Sequence, residues 1–337
     1  MNFRFYPVDL SLTHTFTIAR GSRDSVPCVI VEFEHEGIIG YGEASPSARY
    51  GETPETVSRF LQTVELQRFP DPMQLDKILG YVNGLAEGNF AAKAAIDIAL
   101  HDWVGKKLSV PLWKLWGLNK DRAPVTSFTI GIDSIDMIEQ KVAEATYYPI
   151  LKVKVGVPQD EEIIRTIRKF TDKVIRVDAN EGWSSKEEAL EKIRWLEGQG
   201  VEFVEQPLPA HDLEGTAWLR ERVNIPIIAD ENVSSSADIA KLQYVFDGVN
   251  IKLMKCGGLR EAMRIIYAAK VLSMKIMLGC MIESSVAISA AAQLSPLVDY
   301  ADLDGNVLIS NDPFVGVRLN DGKLVLEDLP GLGVVKK

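Results

Sequence analysis

The sequence predicts an α/β protein in which an α+β domain precedes a (β/α)8 barrel, the TIM-barrel architecture. After residue 124, short apolar runs alternate with helical patterns, and eight such runs are candidate strands. Three of the runs end in a carboxylate, at successive gaps of 27 and 25 residues. Because a parallel strand pair needs a helical crossover, this regular alternation favours a barrel over an open sheet.

The composition argues against several kinds of binding partner and site. The chain has 337 residues, with 37 basic and 47 acidic side chains and a net charge of −10, which argues against nucleic acid. No signal-peptide core or long apolar span is visible, so we expect no membrane association and a cytoplasmic location. Three cysteines and four histidines are scattered along the chain, which disfavours disulfides and a zinc site. Assembly into a homo-oligomer is left open.

The first part of the chain has a mixed pattern. Residues 3–10 and 26–35 are predicted strands, and 38–42 is a return strand after a turn at Glu36-Gly37. The polar, glycine-bearing residues 13–23 are predicted to form a mobile loop, and a second loop follows the return strand.

Two helices complete this part, because Pro54 opens a helical pattern that runs to about residue 68 and residues 90–106 form a second. We expect residues 1–122 to form the capping domain, here called the cap, completed by residues 316–337 with two short strands near residue 320. Residues 123–315 would form the barrel.

The predicted barrel strands are residues 125–130, 150–155, 174–178, 201–205, 227–230, 249–253, 276–279 and 300–303. The clearest predicted helices between them are residues 160–170, 186–199, 236–244 and 259–273.

Carboxylates end three consecutive barrel strands, at Asp178, Glu205 and Asp230. Neighbouring strands lie about 4.8 Å apart, so the three side chains can converge on one ion. Hard anionic oxygens without His or Cys suit Mg²⁺, with Mn²⁺ as a substitute, at one ion per subunit. The alternative is that each acid is a helix N-cap or a surface residue. Asn180 and Glu231 flank the trio and are expected to contact the ligands, although a turn residue explains Asn180 equally well.

Lysines face the barrel interior from two strands. Lys152 and Lys154 are two residues apart on strand two and so share a face, and Lys252 lies on strand six, on the opposite side of a ring of eight. A nearby cation favours a neutral lysine, which can then act as a base. Lys154 and Lys252 could therefore exchange a proton on the two faces of a carbon next to a metal-bound carboxylate. Lys255 is a second choice for the strand-six role.

These motifs together resemble the enolase superfamily in its muconate lactonizing branch, over nearly the whole chain. The motifs are Lys152-Val-Lys154, Asp178-Ala-Asn180, Glu205-Gln-Pro207, Asp230-Glu231 and Asn250-Ile-Lys252-Leu-Met-Lys255-Cys-Gly-Gly. The resemblance implies a cap over a modified barrel, a Mg²⁺ site at the three acids, and acid/base roles for Lys154 and Lys252. No histidine lies near strand seven, which disfavours the mandelate racemase branch.

Strand eight carries Asp302 and Asp304, two acids that can both face inward and bind a substrate cation. The pair resembles the Asp-x-Asp feature of dipeptide epimerases, which holds the substrate's free ammonium group. The alternative for Asp304 is a turn with Gly305. Strand seven is also similar to these enzymes, and this implies that the segment with Cys280 and Ile282 lines the substrate. Lys152 is likewise expected to contact the substrate, whereas Glu283 has no assigned role.

The expected reaction is 1,1-proton transfer at the α-carbon of the C-terminal residue of a dipeptide such as L-Ala-D/L-Glu. Arg20, or less favourably Arg23, would place a cation near an acidic substrate side chain. Alternatives on the same scaffold are o-succinylbenzoate synthase, N-acylamino acid racemase and muconate cycloisomerase, whose substrates lack a free ammonium. A non-catalytic binding protein is a third reading, which the intact metal and lysine set disfavours.

Overall fold

A computed structural model describes all 337 residues, and its first part is an antiparallel sheet covered by helices. The strands are β1 (Asn2–Ile18), β2 (Gly21–His35) and β3 (Ile38–Ala44), in the order β1-β2-β3. The helices are α1 (Pro54–Leu61), α2 (Leu75–Gly84), α3 (Phe90–Lys107) and α4 (Leu112–Leu115). The helix predicted to reach residue 68 therefore ends at Leu61, where the Thr63 hydroxyl donates to the Phe60 carbonyl.

The mobile loop predicted for residues 13–23 is wrong, because β1 and β2 continue as a paired hairpin almost to its tip. After a register shift, Phe16 pairs with Arg23 and Ile18 with Gly21. The Thr17 and Ser22 hydroxyls lie 2.9 Å apart across the pair. The polar composition hid a strand whose threonines and apolar residues alternate, as β-structure requires. The hairpin carries Arg20 at its tip.

Sheet and helix approach each other closely where β3 crosses α3. A Cβ atom on Gly40 or Gly42 would overlap the backbone oxygen of Ala99 or Ala95, respectively. Only glycine permits this approach, which buries almost every residue of α3.

The second part is an eight-stranded parallel sheet in sequential order, from β4 to β11. Its strands are β4 (Phe128–Ile130), β5 (Ile150–Lys154), β6 (Val174–Asp178), β7 (Val201–Glu205), β8 (Ile227–Ala229), β9 (Gly248–Ile251), β10 (Lys275–Gly279) and β11 (Tyr300–Asp302). The helices are α5 (Ile135–Glu144), α6 (Asp160–Phe170), α7 (Lys186–Gly198), α8 (Leu213–Arg220), α9 (Ile239–Leu242), α10 (Leu253–Cys256), α11 (Leu259–Val271) and α12 (Ser285–Leu294).

All eight predicted strands are present, and the modified barrel is confirmed, since no α-helix follows β11. The helix expected over residues 236–244 shrinks to α9. The first residues of the expected helix instead lie in a non-helical turn, in which Asp238 accepts hydrogen bonds from Ser234 and Ser235. Short polar side chains compete in this way with helical hydrogen bonding.

The barrel closes between its first and last strands through few backbone contacts. Thr126 and Ala301 form an isolated parallel bridge, and the Ser127 N–H donates to the Ala301 carbonyl at 3.2 Å. The Thr126 hydroxyl also accepts from the Leu303 N–H at 2.7 Å. Side chains at the start of β4 therefore supply part of the closure, directly beneath Asp302.

The C-terminal stretch contains β12 (Phe314–Val315), β13 (Arg318–Asn320), β14 (Lys323–Val325) and β15 (Val335–Lys336). β13 and β14 form the predicted hairpin. Lys336 Nζ lies 2.8 Å from Glu32 on β2, and the Leu332 N–H donates to Asp102 on α3. The domain boundary at 122/123 and the assignment of this stretch to the cap stay predictions. No helix is both long enough and apolar enough to span a membrane.

Candidate active site

The three acids converge as predicted. Asp178 and Glu205 are paired residues at the ends of β6 and β7, and Asp230 follows β8. Carboxylate oxygens of the three lie within 4.8 Å of one another, and all three side chains are buried. Parallel strands bring their carboxyl ends to one edge of the barrel, so residues far apart in sequence meet there.

The trio fits a hard divalent cation. Burial and the neighbouring Asp178 raise the pKa of Glu205 to about 7, so the three carboxylates repel one another even with lysine amines beside them, and a divalent cation would relieve that repulsion. Glu205 Oε2 is buried and accepts no well-aligned hydrogen bond. Carboxylate oxygens without sulfur or imidazole nitrogen are ligands that suit Mg²⁺.

Two lysines reach the trio from strands four positions apart in the ring of eight. Lys154 on β5 places Nζ 2.7 Å from Asp178 Oδ2. Lys252, just after β9, places Nζ 2.7 Å from Asp230 Oδ2. Burial disfavours the charged form of Lys252, but Asp230 and Glu205 outweigh it and raise the pKa of the amine. Both lysines line the same cavity.

The other two lysines, Lys152 and Lys255, each make more contacts with the acidic residues than Lys154 and Lys252 do. Lys152 Nζ contacts three carboxylates, Glu205 and Asp302 at 2.7 Å and Asp178 at 3.2 Å. Lys255 Nζ lies 2.5 Å from Asp230 Oδ1 and also donates to the Asp230 carbonyl. Lys255 does not line the cavity, whereas Lys252 does. This placement favours Lys252 as the acid/base lysine from strand six.

The acid pair of β11 is asymmetric. Asp302 is held on both oxygens, by the Ser127 hydroxyl at 2.6 Å and by Lys152. Asp304 accepts from the Thr129 N–H at 2.6 Å and has no cation within 4.0 Å. Burial and the charge of Asp302 raise the pKa of Asp304 to about 7. A buried carboxyl without a cationic partner is a natural binding place for a ligand cation.

A cavity of about 350 Å³ connects these groups between the cap and the mouth of the barrel. Its lining includes both candidate acid/base lysines, both acids of β11, and Cys280 and Ile282 beyond β10. The cap supplies Arg20, Arg23 and apolar side chains such as Phe16. The volume suits a small molecule with several charged groups.

The sequence matches two family models that together span most of the chain. Residues 5–117 match the mandelate racemase / muconate lactonizing enzyme N-terminal domain, and residues 136–336 match the enolase C-terminal domain-like family. The chain belongs to the enolase superfamily.

Relatives within this superfamily match the chain from end to end. The L-Ala-D/L-Glu epimerase of Bacteroides thetaiotaomicron is 52% identical over 337 residues, which is 100% of this chain and 88% of that protein. The dipeptide epimerase of Enterococcus faecalis V583, solved with Mg and L-Leu-L-Tyr, superposes with a TM-score of 0.90 at 35% identity over 98% of each chain. The N-succinyl Arg/Lys racemase of Bacillus cereus gives 0.93 at 30% identity over 99% of this chain and 95% of that one.

The expected flanking residues differ in what they contact. The Asn180 N–H donates to Asp178 Oδ1 at 2.9 Å, so this residue supports a metal-site acid. The Glu231 carboxylate instead forms an ion pair with Arg20 at 2.8 Å, and its contact with the trio stays a prediction. Arg20 Nη1 also donates to the Asn180 carbonyl and to Glu181. Arg20 therefore reaches the cavity with its charge largely offset, whereas Arg23 lines the cavity without an ion-pair partner.

Two residues quoted above within motifs, Asn250 and Gln206, were given no role from the sequence. Asn250 donates from Nδ2 to Glu205 Oε1 at 2.7 Å, and its position two residues before Lys252 on the same strand was an available signal. Gln206 Oε1 accepts from the N–H groups of Asp230 and Glu231, which orients the end of β8. Gln206 adopts a left-handed φ of 39°, and no local pattern predicts that partner.

The cavity-lining segment after β10 is anchored to the cap. The Ser45 hydroxyl donates to the Ile282 carbonyl at 2.8 Å, and Glu43 accepts from the N–H and hydroxyl of Ser284. Glu283 accepts from the Met281 N–H, and burial together with Glu43 raises the pKa of Glu283 to about 8. Glu283 is thus a buried carboxyl that shapes the segment, a role the sequence left open.

Proposed function

We propose that the protein is a Mg²⁺-dependent dipeptide epimerase that performs 1,1-proton transfer at the α-carbon of the C-terminal residue of a dipeptide such as L-Ala-D/L-Glu. The observation that carries the proposal is one cavity lined by two lysines from opposite barrel strands and, at β11, by a carboxyl without a cationic partner. The relative that is 52% identical has the name of this activity.

In the proposed mechanism, Asp178, Glu205 and Asp230 hold Mg²⁺, which supplies electrostatic stabilisation for charge that develops at the substrate carboxylate. Lys154 and Lys252 act on opposite faces of the α-carbon. One amine accepts the α-proton in its neutral form, and the other, protonated, delivers a proton to the opposite face. The roles exchange for the other epimer, so each lysine serves as acid in one direction and base in the other.

Asp304 favours a dipeptide over an N-acylated amino acid. A dipeptide brings an ammonium group to the acids at the end of β11, whereas an N-succinyl group ends in a carboxylate, which these acids would repel. N-acylamino acid racemisation is the second candidate function, because the N-succinyl Arg/Lys racemase shares the fold. Desolvating Asp304 next to Asp302 without a cation would cost free energy that a dipeptide avoids.

Deuterium exchange tests the proposed reaction. With Mg²⁺ in D₂O, we expect the enzyme to introduce deuterium at the α-carbon of the C-terminal residue of L-Ala-L-Glu and L-Ala-D-Glu, observed by ¹H NMR. A panel should include L-Ala dipeptides with apolar C-terminal residues and an N-succinyl amino acid. Exchange only in the N-acylated substrate would favour the second candidate. Full dipeptide activity after Asp302→Asn and Asp304→Asn would remove the argument from ammonium recognition.

Dipeptide affinity should depend on pH through Asp304. Its raised pKa leaves the carboxyl ionised above about pH 7 and neutral below, so attraction for an ammonium is lost as pH falls. At saturating Mg²⁺, we expect the Kd of L-Ala-L-Glu to rise about fivefold to tenfold between about pH 7.5 and pH 6.0, by calorimetry. The matched ligand N-propionyl-L-glutamate, which lacks the ammonium, should show no such rise. The groups that act on this titration are Asp302, which raises the pKa of Asp304, and Thr129 and Lys152, which lower it.

The preference for an acidic side chain rests on the cap arginines. Arg20 remains the proposed contact, although its pairing with Glu231 means that an acidic substrate must compete for it. Arg23 is the alternative, because it lines the cavity and has no carboxylate partner. The substrate contact of Lys152 and the cytoplasmic location also stay predictions.

A further inference from the structure

Asp302 is immobilised by two different groups. The Ser127 hydroxyl donates to Oδ1 at 2.6 Å, and Lys152 lies 2.7 Å from Oδ2. Lys152 also contacts Glu205 and Asp178 of the proposed metal site. One oxygen of Asp302 is therefore linked through Lys152 to the metal-site acids. The other oxygen is held only by Ser127, where the barrel closes.

Asp304 is held differently. Its hydrogen bond comes from the backbone of β4, through the Thr129 N–H, and no lysine or arginine lies within ion-pair distance. Both acids line the cavity, so an ammonium placed there meets one carboxylate already paired with Lys152 and one carboxyl without a cation. The electrostatic gain is larger at Asp304, because the charge of Asp302 is already offset.

The hydroxyl of Ser127 determines where the remaining lone pairs of Asp302 point. A carboxylate oxygen can accept two hydrogen bonds, so each oxygen of Asp302 has capacity for a further donor. Without the serine, the carboxylate is free to turn about its terminal torsion toward the ammonium of Lys152. Both oxygens of Asp302 could then face Lys152, which would leave fewer of its lone pairs for the ammonium of a ligand.

We propose that Ser127 is a positioning residue that aims Asp302 at the amino group of the substrate, and that Asp304 carries the larger share of ammonium recognition. This inference rests on the proposed dipeptide function and adds a residue that directly precedes the first barrel strand, outside the cavity lining, to the determinants of specificity.

The test compares Ser127→Ala and Ser127→Cys with the wild type for two ligands, L-Ala-L-Glu and N-propionyl-L-glutamate. The ligands differ only in the ammonium group. We expect Ser127→Ala to weaken dipeptide binding about fivefold to twentyfold while N-propionyl-glutamate binding is unchanged, by calorimetry with Mg²⁺. KM should rise with kcat nearly unchanged. Asp304→Asn should lose more of the preference for the ammonium than Ser127→Ala does.

Ser295→Ala is the matched control, because Ser295 is equally buried but its hydroxyl has no hydrogen-bond partner. If the Ser127→Ala variant does not fold, the same comparison is made with the nearly isosteric Ser127→Cys variant. An equal loss for both ligands, or no loss for either, would overturn the role of Ser127. A wild-type enzyme that binds both ligands equally would instead contradict ammonium recognition in the proposed function.

Discussion

Replacing Lys154 or Lys252 by methionine is expected to lower epimerisation by about 10²- to 10⁴-fold, the usual contribution of a positioned acid or base. Methionine keeps the length of the buried aliphatic stem and removes only the amine. Because the two amines act on opposite faces, each variant should lose deuterium exchange with one epimer of the dipeptide. It should keep exchange with the other epimer, for which the remaining lysine is the base.

The retained exchange is an internal control. Each amine contacts a metal-site acid, Asp178 for Lys154 and Asp230 for Lys252, so a damaged metal site would abolish exchange with both epimers. Mg²⁺ affinity measured on the same variants separates the two explanations. Loss of exchange with both epimers at normal Mg²⁺ affinity would contradict a mechanism with one base on each face.

Glu205→Gln is expected to abolish tight Mg²⁺ binding, since it removes one of three charged oxygens at the centre of the site. In the wild type, Mg²⁺ at about one hundred times its Kd should stabilise the folded state by about 2.7 kcal/mol and raise Tm accordingly. The variant should show no Mg²⁺-dependent shift in a thermal melt.

Glu202→Gln is the matched control for the metal prediction. Glu202 lies on the same strand, β7, and pairs with Arg176 at 2.7 Å, away from the trio. This variant should keep the full Mg²⁺-dependent rise in Tm. If Glu205→Gln retained that rise, the trio would not be the metal site.

The site residues that the sequence predicts most directly lie at the ends of strands. Asp178, Glu205 and Asp230 follow apolar runs at regular gaps, and parallel strands must present their carboxyl ends at one edge. The alternation of side chains along β5 likewise predicted that Lys152 and Lys154 share a face. These inferences need only local periodicity and the geometry of a barrel.

The two lysines of β5 lie at different depths in the barrel and so have different partners. Two residues along a strand correspond to about 6.6 Å, so Lys152 lies one layer below Lys154 and reaches three carboxylates there. The sequence could not reveal these partners, because they come from β6, β7 and β11 and depend on the stagger between strands. The same reason kept Ser127 hidden, since its partner Asp302 is 175 residues away.

By itself, the sequence determined the barrel, the α+β domain before it, the acidic trio and the facing lysines, because each follows from the period of a strand or helix and from the order of elements. Only the tertiary structure decided how the charges pair. Whether Arg20 faces a substrate or Glu231, and whether Asp302 or Asp304 lacks a cation, depends on where the cap hairpin ends and how β4 closes on β11. Those distances are set by packing between distant segments, which no local pattern encodes.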